Sequence, residues 1–312
     1  MHMFLFSAVP SWRARHWQVQ QPIVYSLQEE ECEELLNNFN EDRFLSLHTL
    51  TCSHVRVMLR RAFDAWQHNV PTMRFEEDSA SEDAHALVVV ARTYENPDFI
   101  GRASSDEISI STEHCWFSDA SFCHAIQSRW TILSALLLSA WLIGTAAAAA
   151  LLCHRRNARA YCILPIVVCV VFPPLVYWGA MRPCLRCHDF GALLLHEIGH
   201  VLGLLHPDDD TATNMCGCGA NASYCNNTMN VPGAPPPIMW SVTRPRASYC
   251  LTQDDIDGAR TLHAPQACTS PLACYETAEF IGVARFCMAM IYSLVIASIV
   301  VAVSDKCATR SA

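Results

Sequence analysis

Three histidines, a glutamate and a glycine stand at intervals that a divalent metal ion can use: His196, Glu197, His200, Gly203 and His206. Side chains four residues apart on a helix lie one turn apart on one face. His196 and His200 can therefore present ring nitrogens to a single ion, at ~2.0–2.1 Å if the ion is zinc. Gly203 permits a sharp reversal after the helix, because glycine takes positive φ at little cost, and the reversal returns His206 as a third ligand. Three protein ligands leave one position open, the arrangement of a catalytic rather than a structural zinc. Such an ion lowers the pKa of a bound water to about 7 and polarises a carbonyl. Glu197 is placed to take that water's proton and pass it to a leaving amine. The chemistry this spacing predicts is peptide-bond hydrolysis. A core helix with internally satisfied histidines would explain one of these residues, not five at fixed spacing.

Elements must position these groups. Asp189 is suited to start the helix that carries His196 and His200, running to about Leu202. Thr252, with Asp255 three residues on, resembles a capping box that opens a last helix. Ser53 can cap a helix to about His68, whose Val55, Leu59, Ala62, Phe63 and Trp66 share one face. Residues 22–27, 72–75 and 86–91 suit strands. Glu107–Ser111 alternates apolar and polar residues, which predicts a half-exposed strand. As an edge strand it could take an extended peptide by strand addition. Val231–Pro237 is a proline-rich loop.

Three stretches have the ~20 apolar residues that a spanning helix needs. They are Trp130–Leu152, Ala160–Met181 and Phe286–Val303, with Arg285 at the edge of the third. Pro165, Pro173 and Pro174 interrupt the second, which membrane helices tolerate. The link between the first two carries Arg155, Arg156 and Arg159, so they read as a hairpin with a basic loop. Positive loops prefer the cytoplasm, and Lys306 and Arg310 give the tail the same preference; Arg129, Arg182 and Arg186 on the other side weaken the contrast. A hairpin returns the chain to the side it left, so the segments before Trp130 and after Met181 can build one domain. The spans carry no acidic residue, which argues against a channel or transporter.

Composition agrees with a membrane chain: 52% of its 312 residues are hydrophobic and only 16% charged. A net charge of -9 and the lack of a basic stripe argue against a nucleic-acid partner. Of 17 cysteines, 12 lie in polar segments, an even number that suits disulfides in an oxidising compartment. Cys184 and Cys187 have the spacing of a metal or haem motif, but without a matching pair a disulfide is the better reading. Sequons at Asn221 and Asn226 point to a glycoprotein with an extracellular or lumenal face. Asp208–Asp210 could hold calcium or form a solvated acidic loop. The short apolar start, Met1–Ala8, does not read as a signal peptide.

At its metal motif the sequence resembles the metzincins and, within them, the matrixins. Pro237–Trp240 looks like the Met-turn, with Met239 as the methionine beneath the metal; Met215 and Met229 are competing candidates. Cys250–Gly258 is similar to the stretch that opens the final matrixin helix, and Ala62–Trp66 to part of the first. The resemblance touches most of residues 22–128 and 183–263. It implies an α+β, zincin-like catalytic domain: a twisted mixed sheet, an active-site helix and a cleft above a small lower part. The expected organisation is catalytic segments at 22–128 and 183–265, an inserted transmembrane hairpin at 130–181 and a transmembrane helix at 280–303. The hairpin is foreign to the family; it is either a genuine insertion or translated intron sequence.

The resemblance implies a zinc-dependent endopeptidase. His196, His200 and His206 would hold one catalytic zinc and Glu197 would be the catalytic base. The partners would be a protein or peptide substrate, such as a matrix component, and the lipid bilayer; oligomeric state is not legible. Matrixins carry a second, structural zinc on a His and an Asp near the strand before the active-site helix, where this chain has Ser109 and Ser111. No structural zinc is expected there, and Cys115, Cys123, Cys184 and Cys187 could supply the missing stability. No cysteine-switch segment is visible upstream. The alternative function is a membrane-anchored zinc-fold binding protein without turnover.

Overall fold

The computed structural model describes residues 4–5, 22–39, 50–78, 86–104, 106–153, 163–206, 238–240, 242–243, 250–263 and 281–310. The chain divides into two units, Met1–Ala120 with Cys187–Ala278, and Ser121–Arg186 with Glu279–Ala312.

In the first unit, β1 (Phe4–Leu5) pairs antiparallel with β9 (Val242–Thr243). The main sheet contains β2 (Ile23–Leu27), β3 (Phe75–Glu77), β4 (Leu87–Arg92), β5 (Gly101–Ala103) and β6 (Glu107–Ser111), in the order β3-β2-β4-β6-β5. Four strands run parallel and β5 alone is antiparallel, so the sheet is mixed. Parallel neighbours require a crossover; between β2 and β3 it contains α1 (Glu29–Leu36) and α2 (Cys52–Asn69). A disulfide, Cys32–Cys52, ties these two helices.

Helix α2 buries the face its periodicity predicts, with Val55, Leu59, Ala62, Phe63 and Trp66 all in the core. Phe63 stacks on Tyr25 of β2 at 4.0 Å and meets Phe75 of β3 at 4.9 Å. Its cap is Thr51 rather than Ser53: the Thr51 amide donates to His54 Nδ1 at 3.2 Å. Ser53 lies two residues past the cap position, because the helix already begins at Cys52. Two further strands, β7 (Trp116–Phe117) and β8 (His188–Asp189), pair in parallel, and α7 (Phe190–Val201) follows at once. Phe190 packs against Phe39 and Trp116. Helix α8 (Gln253–His263) is joined to the end of α2 by the buried Arg260, whose Nε donates to the Asn69 carbonyl at 2.9 Å.

Two expectations about β6 are corrected. It is an internal strand, paired in parallel to β4 and antiparallel to β5, so β5 is the edge. It is also not half-exposed: Ile108, Ser109, Ile110 and Ser111 are all buried. The serine hydroxyls tolerate this because they are hydrogen-bonded, Ser109 to Tyr94 and the Arg102 carbonyl, Ser111 to His114.

The second unit is helical. It contains α3 (Ala120–Ser128), α4 (Trp130–Cys153), α5 (Ile163–Val176), a π-helical turn (Tyr177–Met181), α6 (Arg182–Arg186) and α9 (Ile281–Arg310). Among the described residues, three stretches are long and apolar enough to cross a membrane: Trp130–Ala150, Pro165–Arg186 and Ile281–Ser304. The third begins before Phe286, so Arg285 lies inside it. That side chain is buried, and its Nη1 donates to the Gly179 carbonyl of the π turn at 3.1 Å. Residues 121–128 cluster with this unit. The Cys123–Cys184 disulfide and the Gln127 Nε2 bond to the Cys184 carbonyl at 2.6 Å account for it.

Candidate active site

The site begins at Asp189, whose carboxylate accepts from the Ala192 amide at 3.1 Å and caps α7. The helix starts and stops where the sequence indicates. His196 and His200 follow on one face. At the other end Gly203 adopts φ 90°, and the chain turns back so that His206 meets both. His206 Nε2 lies 3.2 Å from His196 Nε2 and 3.0 Å from His200 Nε2.

Each helical histidine is oriented from behind. His196 Nδ1 donates to the Ile238 carbonyl at 2.7 Å, and His200 Nδ1 to the Leu204 carbonyl at 2.8 Å. With Nδ1 as donor, Nε2 keeps its lone pair, the tautomer a metal ligand needs. Burial, with His200 and His206 alongside, pushes the His196 imidazole well below its ordinary pKa and keeps it neutral.

Glu197 is fully buried, and neither carboxylate oxygen has a hydrogen-bond partner among the described residues. Burial pushes its carboxyl well above the ordinary range. Edge strand β5 lies against it: a Cβ at Gly101 would fall 2.7 Å from Glu197 Oε1. Glycine there allows backbone and carboxylate to approach.

The donor set fits one transition-metal ion. One ring nitrogen from each of His196, His200 and His206 lies within 4.8 Å of the others, and no other such group occurs among the described residues. Imidazole nitrogens suit zinc, and three of them beside a carboxylate that has no hydrogen-bond partner among the described residues suit a hydrolytic site better than a closed structural one.

Met239 packs beneath the helix. Its Sδ would lie 2.2 Å from a Cβ at Gly199, so the glycine between Ile198 and His200 makes room for the sulfur. Asp255 holds this turn: it accepts from the Ile238 amide at 2.9 Å and the Met239 amide at 3.1 Å, and from Thr252 at the start of α8. Trp66 of α2 supports the other side, donating from Nε1 to the Leu195 carbonyl at 2.9 Å.

Sequence reasoning marked Asp255 only as a cap and Trp66 only as core. Their second roles depend on partners 16 to 129 residues away, which no local pattern reports. Met215, Met229, Asp208–Asp210, Asn221 and Asn226 lie outside the described residues.

A three-histidine site on a helix below a mixed sheet, closed by a methionine-bearing turn, defines a zincin-type peptidase fold. The family model of the matrixins matches residues 43–216, more than half of the chain, and the chain belongs to that family of zinc-dependent metalloendopeptidases. No curated protein matches it.

Proposed function

We propose that this protein is a membrane-anchored zinc endopeptidase that cleaves extracellular or lumenal proteins. The observation that carries the proposal is the convergence of three histidine Nε2 atoms, two of them with Nδ1 bonded to a carbonyl, beside the buried Glu197. His196, His200 and His206 would hold the zinc. When bound, zinc supplies Lewis-acid polarisation of the scissile carbonyl and an acidified water.

The chain's own residues do the rest. Glu197 takes a proton from the attacking water and hands it to the departing amine; its raised pKa suits an acceptor that must later donate. Strand β5, the last in the sheet order, presents its outer edge to an extended substrate at the level of Glu197.

The three apolar helices are read as membrane spans. Both flanks of the hairpin carry disulfide cysteines, which supports an oxidising compartment for the first unit. The loop with Arg155, Arg156 and Arg159 then faces the cytoplasm, by the preference of basic loops. The hairpin is taken as genuine.

The test uses the full chain in detergent, zinc analysis and a peptide library. Glu197→Ala is expected to lower turnover roughly 10²- to 10⁴-fold while zinc content is unchanged. A wild-type protein that holds zinc yet cleaves nothing would move the reading to a binding protein of the same fold.

A further inference from the structure

The edge strand has to stay in place beside Glu197, and β5 has only three residues to pair with its neighbour. A short edge strand frays readily, because few ladder bonds hold it. Extra bonds hold this one.

Tyr94, two residues past the end of β4, places its hydroxyl 2.8 Å from Ser109 Oγ and 3.0 Å from the Ser109 carbonyl. Ser109 Oγ donates in turn to the Arg102 carbonyl at 3.0 Å. Arg102 is the central residue of β5, directly opposite Ser109 in the register, and a Cβ on Gly101 beside it would fall 2.7 Å from Glu197 Oε1. The Tyr94 ring is fixed by an edge contact with Phe99. One step outward, Thr93 and Thr112 bond through their hydroxyls at 2.8 Å.

Tyr94 and Ser109 thus form a relay from the core of the sheet to the middle of its edge strand. Burial, and more weakly the Glu197 charge, push the Tyr94 hydroxyl up to about 12. It therefore stays a donor at any pH at which the enzyme would work.

We infer that Tyr94 and Ser109 are positioning residues that hold β5 in register for substrate pairing beside Glu197. Neither touches the reacting atoms. The inference rests on the peptidase reading above.

The test compares steady-state kinetics of the full chain on two peptides, one long enough to lie along β5 and one too short to reach it. Tyr94→Phe keeps the ring and removes the hydroxyl. It should raise KM for the long peptide roughly 5- to 10-fold, the size of one lost buried hydrogen bond. The kcat, and both constants for the short peptide, should stay within about twofold of wild type by the same reasoning.

Ser109→Thr and Ser109→Val add the same bulk and differ in the hydroxyl, so they separate crowding from bonding. The threonine variant should keep a lower long-peptide KM than the valine variant. Equal KM values for the pair, or an equal loss on both peptides, would overturn the relay and leave a merely structural role. If the wild type itself cleaves neither peptide, the peptidase reading fails first, so the two failures are distinguishable.

Discussion

A ligand histidine is only as well placed as the group bonded to its other nitrogen. In the proposed zinc site that group would be the Ile238 carbonyl for His196, and Ile238 is held by Asp255. Asp255→Ala leaves the amides of Ile238, Met239 and Thr252 without their acceptor. The expected result is zinc binding weaker by roughly 10- to 100-fold, read by chelator competition. Unfolding in urea should show a loss of about 1–3 kcal/mol. Gly199 gives a case where two effects oppose each other. Alanine in a helix interior normally gains about 1 kcal/mol over glycine. Here its Cβ would sit 2.2 Å from Met239 Sδ and 3.1 Å from Trp66 Cζ2, so overpacking dominates. Gly199→Ala should destabilise by about 1–3 kcal/mol and weaken zinc binding with it. An unchanged urea midpoint would mean that the sulfur moves aside freely.

Elements differ in how far their sequence reveals them. Helix α7 was legible from cap to turn because each signal is local: Asp189 at the start, histidines one turn apart, Gly203 at positive φ. The place of β6 in the sheet was not. Alternation reports which residues can face water, and Ser109 and Ser111 can; that they do not depends on Tyr94, from the segment after β4, and on His114, from the turn that follows β6 itself. The same limit applies to β8. His188 stands beside Cys187 in a motif that suggested a metal or a disulfide, and Cys187 is bonded to Cys115. His188 itself is buried against His114 and Trp116. Burial, then the His114 charge, lower its pKa to about 4. In the unfolded chain a histidine titrates near ~6.5. Between these values the unfolded chain binds a proton that the folded chain refuses, so folding stability falls as pH drops through that window and levels off below it. The loss attributable to His188 should approach ~3 kcal/mol. Urea unfolding of the metal-free protein from pH 7 to pH 4 should be less pH-dependent in His188→Gln than in wild type. Parallel curves would show that His188 takes up its proton equally in the folded and the unfolded chain.

For the whole molecule, the decisive fact is where the disulfides fall along the chain. Cys115 and Cys123 precede the apolar hairpin and Cys184 and Cys187 follow it, and they pair as nested bridges, Cys123–Cys184 inside Cys115–Cys187. The pairing was not legible, since 12 cysteines in polar segments admit many connectivities. Its consequence is topological. Disulfides of this kind persist in an oxidising compartment, so on the proposed membrane reading both flanks would lie on one side of the bilayer and the hairpin would cross it twice. It also closes residues 123–184 into a covalent loop whose far end is the basic segment with Arg155, Arg156 and Arg159. A specific protease site placed at Asn157 should therefore be cut only from the cytoplasmic face of sealed vesicles. After the cut, the two fragments should run together on a non-reducing gel and separate only when thiol is added. An intron translated by mistake would leave no such loop in the mature protein, and the protease would find no site. Cutting from the opposite face would place the basic loop outside and, with it, the histidine site in a reducing compartment where neither disulfide would last.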